Sequence, residues 1–200
     1  MRQWRKAAAL VLALCLATGV PAQAATAGPG TVSQAVNGNQ VTEPEIQAEG
    51  AVVIDASTGN VLYGKNERNR FYPASITKLM TAMLVLERAD LNDTVTFSQT
   101  ATTNLEAGAV SLNLTEGDRL TVEQCLYALL LKSANEVGNG LAEHVSGSIS
   151  GFAQLMNQKA AELGCTGTHF ANPHGLNDSS HYTTPYAMAL MGRAAFQNET

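Results

Sequence analysis

Tyr72-Pro73-Ala74-Ser75-Ile76-Thr77-Lys78-Leu79-Met80 is the stretch on which the reading of this chain turns. It puts a hydroxyl and an amine three residues apart, on what the pattern predicts as the first turn of a buried helix. Positions i and i+3 share a helix face, so the Lys78 amine can reach the Ser75 hydroxyl. A serine hydroxyl is a poor nucleophile without a neighbouring base, and a lysine serves as one only if desolvation or a nearby cation keeps it partly neutral. Ile76, Leu79, Met80, Met83 and Leu84 recur at i, i+3, i+4, i+7 and i+8, a single apolar face. Pro73 suits the helix start and Arg88 the C-terminal end of its dipole. Taken alone, Ser-x-x-Lys is weakly specific, and a helix-start serine beside a solvated lysine is the plain alternative.

Upstream, Ala51-Val52-Val53-Ile54 and Val61-Leu62-Tyr63 flank Asp55-Ala56-Ser57-Thr58-Gly59-Asn60, which predicts an antiparallel hairpin. Downstream, Val95-Thr96-Phe97 suggests a short strand. Thr121 with Gln124 has the capping-box pattern, and Val122, Cys125, Leu126, Leu129 and Leu130 predict one buried helical face. Further helices are expected through Val137, Leu141 and Val145, then from Phe152 to Leu163 with Gly164 as the stop, then from about Thr184 to Phe196.

The helix that starts at Thr121 runs into Ser133-Ala134-Asn135. Beside a Ser-x-x-Lys site, a Ser-x-Asn pair supplies a second hydroxyl to relay a proton and an amide to hold a carbonyl. Ser111-Leu112-Asn113 has the same spacing, but alternating Val110, Leu112 and Leu114 read as extended surface structure. Ser133 is the better candidate because a buried helix can hold it rigidly beside Ser75.

The chain has 200 residues and a net charge of −5. Arg2, Arg5 and Lys6, the apolar run Ala7 to Val20 and Ala22-Gln23-Ala24 predict a signal peptide over 1–24, and hence an exported, extracytoplasmic protein. Cys15 follows bulky Leu14, unlike a lipoprotein site. Cleavage would remove three positive charges and no negative ones, moving the balance to −8. No clustered basic residues suggest a nucleic-acid partner. The polar, Gly-rich stretch 25–48 reads as a flexible leader. Cys125 reads as a core residue, and whether it pairs with Cys165 is left open. His144, His169, His174 and His181 have no zinc spacing, and no cofactor or metal is expected; His174 reads as a residue that shapes a loop.

With Ala51-Val52-Val53-Ile54-Asp55-Ala56-Ser57-Thr58-Gly59, Leu131-Lys132-Ser133-Ala134-Asn135-Glu136 and Asn172-Pro173-His174-Gly175-Leu176, the chain resembles the low-molecular-weight penicillin-binding proteins. These are serine-type D-alanyl-D-alanine carboxypeptidases of the peptidase S11 family, and the resemblance runs from about Glu49 to Phe196. It implies an α/β (α+β) β-lactamase/transpeptidase-like fold, with an antiparallel sheet packed by helices plus a helical subdomain. It also implies Ser75 as the acyl-enzyme nucleophile, Lys78 as its base, Ser133 as proton shuttle and Asn135 as substrate-binding residue. The implied partners are peptidoglycan stem peptides ending in D-Ala-D-Ala and β-lactam inhibitors, with membrane-surface association through a C-terminal segment absent here. Glu136 stands where the family often has Asp. The family's Lys-Thr-Gly strand has no match, since none of the five lysines precedes Thr-Gly. Residues 49–200 are therefore expected to be an incomplete catalytic domain whose later strands lie beyond residue 200. A non-catalytic fragment is the alternative. A serine β-lactamase ranks lower, because 166–178 lacks a Glu-x-x-Leu-Asn loop, and a cytosolic glutaminase does not suit an export signal.

Overall fold

The computed structural model of the chain describes residues 44–103 and 105–198. The expected signal peptide and most of the expected leader lie outside them. Of the leader's last residues, Ile46 is already tied down, its carbonyl accepting from Lys65 Nζ at 2.7 Å.

Strands β1 (Ala51–Ile54) and β2 (Val61–Lys65) form the expected antiparallel hairpin, with Ala51 opposite Lys65 and a register shift between Val53 and Ile54. The turn is built by Asp55, whose carboxylate accepts from the backbone and hydroxyl groups of both Ser57 and Thr58. These bonds hold the Asp55 carboxyl down at about 2. A second two-stranded sheet joins β3 (Thr94–Thr96) to β4 (Arg119–Thr121). The sequence reading anticipated β3 and missed β4, because a three-residue strand owes its existence to its partner and not to its own pattern.

Helix α1 (Lys78–Arg88) is preceded by a 3₁₀ turn over Ala74–Thr77. Ser75 thus lies on that tighter turn and not in the first turn of an α-helix. The change of winding takes Ile76 off the apolar face, and it is 59% exposed while Met80, Met83 and Leu84 are buried. A short α2 (Gln99–Thr102) follows β3. Helix α3 (Val122–Tyr127) starts with the anticipated capping box between Thr121 and Gln124. It then widens into a π-turn over Ala128–Lys132. The extra residue per turn breaks the i, i+3, i+4 pattern, so Leu129 stays buried but Leu130 turns outward at 54% exposure.

Helices α4 (Asn135–Ser146), α5 (Ile149–Glu162) and α6 (Pro185–Ala195) match the predicted segments, with Gly147 and Gly164 at positive φ after α4 and α5. α4 is the central helix, packed against α1, α2, α5 and β3, while α6 covers β1. The core runs through Met80, Leu84, Phe97, Leu129, Leu141, Phe152, Met156 and Met191. Cys125 and Cys165 are both buried and both free. Burial raises their thiols to about 12 and about 11, so they are core residues with unreactive sulfurs.

Candidate active site

Two strained turns bring the predicted residues together. Ala74, just before Ser75, has φ +48°, and Ser133, where the π-turn ends, has φ +61°. Both are left-handed conformations that a side chain adopts at a cost, held here by surrounding structure. Asn135 opens α4 two residues after Ser133, and Lys78 opens α1 three after Ser75.

Ser133 Oγ lies 3.0 Å from Ser75 Oγ. Lys78 Nζ lies 3.3 Å from Ser75 Oγ, 2.9 Å from Asn135 Oδ1 and 2.7 Å from the backbone carbonyl of His174. All four residues of the sequence reading therefore meet at one point. Ser75 faces solvent, whereas Lys78 is only 2% exposed. Burial pulls the Lys78 amine down from 10.5 to about 8. No neighbouring cation is needed for the shift; desolvation alone disfavours the charged form.

The orientation of the Asn135 amide follows from its partners. Its Nδ2 donates to the Val110 carbonyl at 2.9 Å, which leaves Oδ1 turned toward Lys78. Val110 also accepts the Asn135 backbone N–H at 3.0 Å. The next two residues of that loop bind buried Glu136, whose Oε1 accepts from Ser111 Oγ at 2.7 Å and Leu112 N–H at 2.6 Å. Ser111 is thus occupied in holding its loop to α4. Asn113, the end of that second Ser-x-Asn, is exposed.

The His174 carbonyl was not anticipated as a partner of Lys78, because a backbone acceptor leaves no residue-type signal. Its placement is local chemistry of Asn172-Pro173-His174-Gly175-Leu176. Asn172 Oδ1 accepts from Gly175 N–H at 2.7 Å, and its Nδ2 donates to the Leu176 carbonyl at 3.0 Å. The Pro173 carbonyl accepts from Thr81 Oγ1 at 2.6 Å, pinning the loop to α1. Gly175, at φ +88°, is pressed against the turn that carries Ser75, where a Cβ would run into the Ala74 carbonyl. The His174 ring accepts from Leu176 N–H at 3.1 Å. Burial, then Lys78 and His181, pull its imidazole down to about 4, so it is neutral at pH 7. Its contacts are those of a loop-shaping residue. Among the described residues no group of three His, Cys, Asp or Glu could hold a metal ion.

The chain is similar to known proteins over most of its length. The peptidase S11 profile, described as D-alanyl-D-alanine carboxypeptidase, matches residues 37–200. The chain is 37% identical over 169 residues to the D-alanyl-D-alanine carboxypeptidase DacF of Bacillus subtilis, covering 82% of this chain and 43% of that protein. It is 34% identical to a D-alanyl-D-alanine carboxypeptidase of Streptomyces sp. K15, covering 98% of this chain and 67% of that one. Among solved structures, the D-alanyl-D-alanine carboxypeptidase DacD of Francisella tularensis superposes with a TM-score of 0.74 at 30% identity, over 83% of this chain and 41% of that one. Penicillin-binding protein 6B of Escherichia coli superposes with a TM-score of 0.74 at 32% identity, over 79% and 52%. The chain spans about two fifths of the length of the curated relatives it matches first, 40–43%. The fold is that of the penicillin-binding and transpeptidase structures, and the chain belongs to the peptidase S11 family of D-alanyl-D-alanine carboxypeptidases.

Proposed function

We propose that this chain carries the acylation site of a serine-type D-Ala-D-Ala carboxypeptidase, which removes the terminal D-alanine from peptidoglycan stem peptides outside the cytoplasm and is inhibited by β-lactams. The observation that supports it most is the threefold seat of Lys78 Nζ against Ser75 Oγ, Asn135 Oδ1 and the His174 carbonyl. A neutral amine has two N–H bonds and one lone pair. With the two shorter contacts taken as donations to Asn135 and His174, the lone pair is left facing Ser75 Oγ. At pH 7 an amine of pKa about 8 is neutral in roughly one molecule in ten, against roughly one in three thousand for an unperturbed lysine. Burial therefore makes Lys78 a usable base where an ordinary lysine would not be.

Lys78 takes the Ser75 proton as Ser75 Oγ bonds to the carbonyl carbon of the penultimate D-alanine. Ser133, in contact with Ser75, relays a proton to the leaving nitrogen, and the C–N bond breaks to free the terminal D-alanine. Asn135 holds Lys78 in place and presents its amide to the substrate. Water then hydrolyses the Ser75 ester. A β-lactam follows the same first step, its ring nitrogen being the leaving group. In a full-length form of this protein, mass spectrometry after incubation with penicillin should find the added mass on the peptide containing Ser75, and none in Ser75→Ala. Labelling that survives in Ser75→Ala would refute the assignment.

A further inference from the structure

We infer that His181 is a positioning residue for acylation at Ser75, its imidazole holding the Thr77 hydroxyl and so fixing the turn that carries both Ser75 and Lys78. This rests on the reading of Ser75 as the nucleophile. Thr77 is fully buried and sits between the two residues on the 3₁₀ turn, and His181, 1% exposed, has its Nε2 2.8 Å from Thr77 Oγ1. The other ring nitrogen, Nδ1, faces the Ala171 backbone N–H at 3.1 Å. That N–H can only donate, so Nδ1 carries no proton and Nε2–H donates to Thr77.

The same imidazole closes the loop that seats Lys78. Ala171 and His181 stand at the two ends of the segment whose middle presents the His174 carbonyl to Lys78 and Gly175 to the Ala74 carbonyl. One neutral ring therefore ties both ends of the loop to the nucleophile turn. Around it lie Asp178, which favours its charged form, and His169, which disfavours it, with His174 and Lys78 beyond. Burial outweighs Asp178 and pulls the imidazole down to about 4. The ring also packs edge-on against Phe170, 5.5 Å between centroids. His181→Phe therefore keeps an apolar ring in the site while deleting both hydrogen bonds.

The test combines spectroscopy and kinetics on the full chain. In ¹⁵N-histidine spectra, His181 should carry its proton on Nε2 and stay neutral down to about pH 4. With labelled penicillin, His181→Phe should acylate about tenfold or more slowly at saturation, with little change in the half-saturating concentration. His181→Gln, which keeps a donor and an acceptor, should recover most of that rate. Thr77→Val should lose as much as His181→Phe, and the double variant should lose no more than either. If His181→Phe fails to fold, Thr77→Val supplies the kinetic arm. A proton on Nδ1, an unchanged rate in folded His181→Phe, or a Gln variant no faster than Phe would each overturn the inference. If a full-length form of the protein is not labelled at Ser75, the proposed function fails and the role in acylation falls with it. The tautomer would then still report separately whether His181 holds Thr77.

Discussion

At the residue scale, the proposed chemistry depends on the balance between burial and charge at Lys78. Its amine is lowered to about 8, and the proposed mechanism uses the neutral form. The rate of penicillin acylation should therefore rise about tenfold per pH unit below 8 and level off above it, measured by stopped-flow or quenched labelling. A profile flat from pH 6 to 9 would show that Lys78 is not the titrating base. Lys78→Arg should be inactive, since a guanidinium stays protonated in this range. Lys78 and Ser133 both touch Ser75 Oγ, and in the proposed mechanism they form one proton-transfer unit. Lys78→Ala and the double variant with Ser133→Ala should be similarly slow, whereas fully additive losses would separate their roles. Ser111→Ala tests the competing Ser-x-Asn. It removes one donor to Glu136 while Leu112 N–H keeps its bond, so stability should drop by about 1 kcal/mol with acylation nearly unchanged.

At the element scale, α4 holds the site because its N-terminal turn carries Asn135 and its middle is locked against β3 and Phe97. Gly140 makes that approach close. A Cβ there would run into Phe97 Cε1 and lie 2.7 Å from Cδ1, and Phe97 is 1% exposed with little room to move. Gly140→Ala improves helix propensity by about 1 kcal/mol, but overpacking a filled core costs about 1–3 kcal/mol. The clash should win, lowering the urea midpoint by an amount equal to up to about 2 kcal/mol. A midpoint equal to or above that of the unmodified chain would mean that the Phe97 ring can yield. The 3₁₀ turn before α1 and the π-turn after α3 act oppositely on their helices, one tightening and one widening. Together they aim Ser75 and Ser133 at each other across 58 residues of sequence.

For the whole molecule, buried histidines set the response to acid. His174 and His181 are both held neutral, lowered from 6.5 to about 4 by burial first. Between about pH 6.5 and 4 the unfolded chain therefore binds more protons than the folded one. Stability contributed by these two groups falls as pH drops through that window and falls no further below it. Urea titrations at pH 7 and pH 4.5 should show a clear loss of midpoint, smaller in His181→Phe. An equal loss in that variant would place the acid sensitivity elsewhere. The hairpin contributes less to the compact unit than the helices do. Its Val53, Val61 and Leu62 are 50%, 40% and 67% exposed, and an apolar groove of about 400 Å³ between β1 and α6 contains none of the site residues.

Much of this was legible in the residues. The hairpin, the capping box at Thr121, the cores of α4, α5 and α6, and the quartet Ser75, Lys78, Ser133 and Asn135 all follow from local spacing or from motifs. Such features depend on residues a few positions apart, whose neighbours are dictated by helical or turn geometry. What the sequence could not disclose rests on contacts between distant segments. Strand β4 exists because β3 lies beside it, and the outward turn of Ile76 and Leu130 follows from changes of winding that tertiary packing imposes. The Lys78 seat needs the His174 carbonyl from 96 positions away, and the Thr77 anchor needs His181 from 104. Residue identities and spacing select which side chains could do the proposed chemistry. The dryness of Lys78 comes from packing, because desolvation belongs to the surroundings of a group and not to the group.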